Sequence, residues 1–253
     1  MKVMSLTSTV GKRQSGVTPK AHVKISIIIP VLNEGECIVP FLKQIHERAP
    51  AAELIVVNAA GSQNLPESAV ELCDQVLTSR RGRAAQMNAG AAVAAGEVFW
   101  FVHADCVVPR GCLEEIARTL QDRHFVGGCF RIRFPRRNLI YRVSDAGGNL
   151  AVEMFGRCYG DHGIFCRRDD FLAVGGYPDV PVLEDAEFYR LLGKRGAMRQ
   201  LSSHIRPSPR RYEELGPYRL TAAFVFLSTL YILSVPIAVI ARLYQRLCVI
   251  RRE

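Results

Sequence analysis

Apolar positions along the chain fall into short unbroken runs separated by longer amphipathic ones. The short runs lie at residues 25–31, 54–57, 75–77 and 98–102, the first of them β-branched with no polar face. Runs with no polar face suit strands buried on both sides of a parallel sheet. Between them, 38–48, 67–73, the small-residue segment 84–95 and 113–121 read as helices. The Asn33-Glu34-Gly35 turn leads into the first of these. This β-α-β-α-β-α-β alternation predicts an α/β fold of the doubly wound, Rossmann-like kind with a mostly parallel sheet. In such sheets ligands bind beyond the carboxyl ends of the strands. Asn33, Asn58 and Asp105 fall at such ends.

The second half is less regular. Residues 126–134 and 163–166 read as strands, and 184–195 as a helix. That helix opens on Glu184-Asp185, where the helix dipole favours acids. The first 22 residues are Ser/Thr/Lys-rich without periodicity and read as a flexible tail. Residues 220–241 carry no charge, a length that can cross a bilayer. Pro236 divides the stretch, and Arg210, Arg211 and Arg219 before it are matched by Arg242 and Arg246 after it. Orientation therefore cannot be read from basic residues. Helices lying on a membrane surface are the favoured reading, with a span or hairpin and a buried core or oligomer helix as alternatives. The expected division is a tail at 1–22, an α/β domain at 23–215 with halves 23–108 and 109–215, and a membrane-associated apolar helical tail at 216–253.

Charge and cysteines narrow the setting. The net charge of +9 fits an anionic partner: phosphorylated substrates, a membrane surface or nucleic acid. The basic residues are dispersed and no helix-turn-helix or zinc-finger pattern is present, which sets nucleic acid aside. The eight cysteines form no C-x-x-C pair and no zinc-type spacing with histidine. Scattered thiols of this kind point to a reducing compartment, and no signal-like apolar run opens the chain. The expected location is cytoplasmic, at the inner face of the membrane.

Three sites carry candidate chemistry. Asp105 ends an apolar strand, where a carboxylate can help hold a Mg²⁺ or Mn²⁺ ion that also binds substrate phosphates. His103 is a second candidate ligand. The plainer readings are a turn residue and a hydrogen-bonded structural histidine. Glu184-Asp185 could deprotonate an acceptor hydroxyl, or be simply an acidic first helical turn. Arg80-Arg81-Gly82-Arg83 precedes the small-residue helix, so an Arg and helix-start amides could cradle a diphosphate. The alternative is a solvated basic loop.

In order, these segments resemble family-2 glycosyltransferases of the GT-A fold. The resemblance rests on Ile27-Ile28-Ile29-Pro30-Val31-Leu32-Asn33-Glu34, Gly82-Arg83-Ala84-Ala85-Gln86-Met87-Asn88, His103-Ala104-Asp105 in the place of a D-x-D motif, Tyr159-Gly160-Asp161-His162-Gly163, and Gly175-Gly176-Tyr177-Pro178 followed by Glu184-Asp185. It runs over roughly residues 24–247. The H-A-D, G-R-A-A-Q-M-N and Y-G-D forms resemble the radical-SAM and selenium-linked, arsenosugar-biosynthesis-type subgroup.

The resemblance implies a metal-dependent inverting transfer from a nucleoside-diphosphate sugar to an acceptor hydroxyl. The nucleotide would lie in the 23–108 half and the acceptor, of unknown identity, in the 109–215 half. Asp105, with His103, would hold a divalent Mg²⁺ or Mn²⁺. Asp185 would be the base, with Glu184 beside it. Pro30, Asn33, Glu34, Asn58, Arg83, Asn88 and Ala104 would line the nucleotide pocket, and Asp161 and His162 would sit near the acceptor. One departure stands out: Asn58 and Gln63 occupy places where the family carries acids. An amide oxygen still accepts a hydrogen bond but without charge assistance. A catalytically reduced nucleotide- or membrane-binding relative is the alternative this raises.

Overall fold

The computed structural model describes residues 23–136 and 138–248, so the expected tail at 1–22 lies outside the described residues. One sheet has seven strands: β1 (Ile25–Val31), β2 (Glu53–Ala59), β3 (Gln75–Ser79), β4 (Val98–Phe101), β5 (Phe125–Ile132), β6 (Phe165–Arg167) and β7 (Ala197–Ile205). Their spatial order is β3-β2-β1-β4-β6-β5-β7. The helices are α1 (Ile38–Arg48), α2 (Glu67–Val70), α3 (Arg83–Val93), α4 (Cys112–Thr119), α5 (Leu139–Phe155), α6 (Arg168–Ala173), α7 (Glu184–Gly193), α8 (Arg210–Leu215), α9 (Pro217–Ile232) and α10 (Ile237–Cys248).

Strands β1 to β4 pair in parallel, as the sequence predicts. The chain moves outward from β1 through β2 to β3, then returns to place β4 on the other side of β1. The order reverses between β1 and β4, and a crevice opens there at the carboxyl ends. Beyond it β6 runs antiparallel to both β4 and β5, while β5 and β7 are parallel.

Period-two alternation divides the core between the two faces of the sheet. Ile27, Ile29, Val56 and Trp100 pack with Leu42 and Ile45 of α1 and Ile116 of α4. Ile28, Ile55, Val57, Phe99 and Phe101 pack with Met87 and Ala91 of α3 and Phe188 of α7. The small residues of α3 let it lie close to β1 and β2. A Cβ on Gly90 would stand 2.5 Å from Ile28 Cγ2.

The uncharged C-terminal stretch folds as two helices rather than one membrane-crossing length. Among the described residues no helix is long and apolar enough to cross a membrane, which corrects the membrane-associated tail. Ser234, in the left-handed region at φ 60, and Pro236 break the stretch into α9 and α10. Leu220, Ala223, Leu227 and Tyr231 of α9 are buried in a third core with Phe134, Tyr141 and Tyr212. Helix packing thus accounts for part of the apolar length, while Val225, Phe226 and Leu233 remain exposed. Helix α5 and strand β7 have no counterpart in the sequence-based expectation.

Candidate functional site

The carboxyl ends of β1 and β2 are tied together by amides. Asn33 follows β1 with φ 56, a left-handed conformation that asparagine tolerates better than most side chains. Its backbone N–H donates to Ser62 Oγ at 2.8 Å, and its Oδ1 accepts from Ser62 Oγ at 3.0 Å and from the Gln63 N–H at 3.1 Å. Asn58, at the end of β2, donates from Nδ2 to the Gln63 carbonyl at 3.0 Å. Its Oδ1 is buried without a partner. Gln86 of α3, also buried, donates to the carbonyls of Val31 and Val57 at 2.8 and 2.7 Å and so clamps both strand ends. Pro30 lies in β1 opposite Val57. Burial pushes the Glu34 carboxyl up; Arg210 opposes this and Asp105 adds to it, leaving it raised.

Helix α3 begins at Arg83, whose guanidinium pairs with Glu184 of α7 at 3.6 Å. Asn88 is spent on the backbone of Tyr177. It donates to the carbonyl at 2.9 Å and accepts from the N–H at 2.8 Å, pinning the loop that leads to α7. Asp185 is buried beside Glu184. Burial, then the Glu184 charge, push its carboxyl up against His103 and Arg83, to about 6. One of its oxygens, Oδ1, is buried without a partner.

His103 follows β4, and its Nδ1 lies 3.3 Å from Asp161. Burial pushes the Asp161 carboxyl up, but the hydrogen bond and charge of His103, helped by Arg83, outweigh it and take it down to about 2. Asp161 opens onto a cavity deep between protein walls, which is why its side chain is both 52% exposed and strongly influenced by its neighbours. That cavity, about 890 Å³, runs from Arg83, His103 and Asp185 to apolar side chains of α5 and α9 such as Leu150, Phe155 and Leu227. Ala104 is buried, and Asp105 beside it is exposed.

This arrangement corrects the metal-dependent inverting mechanism expected with Asp105 as metal anchor and Asp185 as base. Among the described residues, the group whose donor atoms converge closely enough for a metal ion is Cys129, Cys158 and His162, and it contains no acid. Two acids of the crevice are paired with protein cations, Asp161 with His103 and Glu184 with Arg83, while Asp105 is exposed and outside these pairs. Mg²⁺ and Mn²⁺ take oxygen ligands, which the group of Cys129, Cys158 and His162 does not supply. His162 belongs to the cysteine group. Its Nδ1 lies 2.9 Å from the Phe130 carbonyl.

Cys129, Cys158 and Gln86 escaped sequence reasoning. The two cysteines lie on different elements with no diagnostic spacing. Gln86 stood within the resemblance motif at 82–88, but no role was read for it.

Comparisons with known proteins agree with the fold. No curated protein matches the chain. Among solved structures, the mannosyltransferase PcManGT from Pyrobaculum calidifontis, in complex with GDP-Man and Mn²⁺, superposes with a TM-score of 0.65 at 18% identity, over 93% of this chain and 74% of that one. Glucosyl-3-phosphoglycerate synthase from Mycobacterium tuberculosis, in complex with Mn²⁺, UDP and phosphoglyceric acid, gives 0.58 at 18% identity, over 86% and 81%. TarS from S. aureus, residues 1–349, gives 0.57 at 17%, over 79% and 64%. The sequence profile of Glycosyl transferase family 2 matches residues 26–171. The GT-A-like α/β fold and this match over more than half of the chain lead to one conclusion: the chain belongs to glycosyl transferase family 2, a family of glycosyltransferases.

Proposed function

We propose that the chain is a nucleotide-binding member of this family in which sugar transfer is reduced. A nucleoside diphosphate or its sugar conjugate lies in the crevice beyond β1, β2 and β4. The base faces Asn33 and Asn58, and the diphosphate faces the start of α3 and Arg83. The observation that carries this reading is Asn58. Its N–H₂ is used within the protein while its buried Oδ1 is left without a donor. A buried acceptor without a partner costs about 1–3 kcal/mol, which an N–H of a nucleobase would recover.

Reduced transfer follows from the same residues. Asn58 and Gln63 bring no charge to the base end, and two acids at the phosphate end, Asp161 and Glu184, are paired within the protein. The apolar wall formed by α5 and α9 suits an acceptor with an apolar body. Subgroup membership rests on the motifs at 82–88, 103–105 and 159–161.

Calorimetric titration with UDP and with GDP, each with Mn²⁺ and with chelator, tests the proposal. The expected result is saturable binding of one of them that chelation changes little, with slow release of sugar from the matching donor. Failure to bind any nucleoside diphosphate would overturn nucleotide binding. Rapid metal-dependent turnover, lost in Asp105→Ala, would overturn reduced transfer.

A further inference from the structure

Three side chains that nucleotide binding leaves unused meet inside the protein. Cys129 lies on β5, Cys158 follows the end of α5, and His162 closes the turn Gly160–His162. One donor atom from each lies within 4.8 Å of the other two. The residues are 0%, 0% and 1% exposed, so bulk water does not solvate their polar atoms.

The histidine is oriented for a ligand. A backbone carbonyl can only accept, so the 2.9 Å contact to Phe130 places the imidazole proton on Nδ1. Nε2 then carries the lone pair, and it is buried with no hydrogen-bond partner. A carbonyl that fixes the tautomer through the other ring nitrogen is the usual support of a metal-binding histidine.

The donor set selects the ion. Two thiols and an imidazole favour Zn²⁺ or Cu⁺ over ions that prefer oxygen. Two thiolates, a neutral imidazole and Zn²⁺ sum to zero charge, whereas Cu⁺ would leave a net negative charge where burial penalises it. We propose that Cys129, Cys158 and His162 form a zinc site with a fourth position open to water or a ligand. His162 also borders the large cavity, from which the fourth ligand would come. The ion fastens the end of α5 and the Gly160–His162 turn to β5. Because that turn carries Asp161, zinc sets the floor of the cavity. The site is independent of the nucleotide reading.

The test uses full-length protein purified without chelator, its affinity tag removed, with metal content measured by inductively coupled plasma mass spectrometry. The expected result is one zinc per chain. Chelation should lower the melting temperature, and added zinc should restore it. Exchange for Cd²⁺ should give a thiolate-to-cadmium charge-transfer band in the ultraviolet. Cys129→Ser, Cys158→Ser and His162→Gln should each lose stoichiometric zinc, whereas Cys73→Ser, outside the group, should keep it. The cadmium band is read on the wild-type protein, so the test does not depend on any variant folding. Folded wild-type protein with neither stoichiometric zinc nor a cadmium band would overturn the proposal. So would a Cys129–Cys158 disulfide found by peptide mapping, or zinc retained in the double Cys129→Ser/Cys158→Ser variant.

Discussion

The closeness of α3 to the sheet can be weighed by making one substitution at two glycines. Gly90→Ala and Gly147→Ala both place alanine in a helix interior, of α3 and α5 respectively. Each gains about 0.8–1 kcal/mol of helix propensity over glycine. The surroundings differ. At Gly90 the new methyl would stand 2.5 Å from Ile28 Cγ2 and 3.1 Å from Val57 Cγ2, both on buried central strands. At Gly147 nothing lies within 4 Å, because the position faces the cavity.

Forcing a methyl into a filled core costs about 1–3 kcal/mol. The helix gain cancels in the difference between the variants, so Gly147→Ala should be more stable than Gly90→Ala by about 1–3 kcal/mol. Gly147→Ala itself should exceed wild type by about 0.8–1 kcal/mol. Urea unfolding followed by circular dichroism measures this, with midpoints separated by about 0.3–1 M. Gly90→Ala should also weaken nucleotide binding, because lifting α3 moves Gln86 off the Val31 and Val57 carbonyls. Midpoints that coincide would refute the claim that α3 is seated at a glycine-only distance.

Other expectations concern the crevice. Arg83→Ala should weaken nucleoside-diphosphate binding roughly tenfold by calorimetry, and Arg83→Lys should recover only part, since ammonium lacks the guanidinium fork. Asn58→Asp sets a carboxylate oxygen against the Gln63 carbonyl and should cost about 1–3 kcal/mol at pH 8. The deficit should shrink at pH 5, as the protonated acid can donate again, and melting curves at the two pH values report it. Asp185 has a carboxyl raised to about 6 in the folded state. Its favourable contribution is therefore complete below the unfolded value near ~3.9 and lost as pH rises through about 6. Asp185→Asn should accordingly gain melting temperature relative to wild type at pH 8 and little at pH 4; an equal gain at both would contradict the shift.

The first half of the fold was legible because the central strands β1, β2 and β4 are largely apolar runs buried on both faces. Helix α1 spans the predicted 38–48, and β1 the predicted 25–31. The second half hid its elements. Gly147-Gly148 in the middle of α5 reads as a break, yet Gly148 sits where a Cβ would press on Ile132. Strand β7 mixes Arg199, Gln200, Ser202 and Ser203 with its apolar residues, so it shows no clean alternation.

In the crevice, ordered motifs marked Arg83, Asp161, Glu184 and Asp185. Which cation each acid faces is a property of tertiary packing that spacing does not encode. The apolar tail misled for a related reason. An uncharged stretch has the same composition whether it faces lipid or tyrosines. Phe134 and Tyr212, with ring centroids 4.8 Å apart, are what it meets here.

Helices α9 and α10 stand apart from the nucleotide half in one further respect. They supply Phe224, Leu227 and Ile240 to the cavity wall, yet they pack chiefly on each other, α5 and α8. Residue changes there reshape the pocket without disturbing β1 to β4. Diversification can therefore proceed at one end of this molecule while the other end stays fixed. Related chains that keep residues 23–108 nearly constant and vary 217–248 should differ in what they accept, while still drawing on the same class of donor.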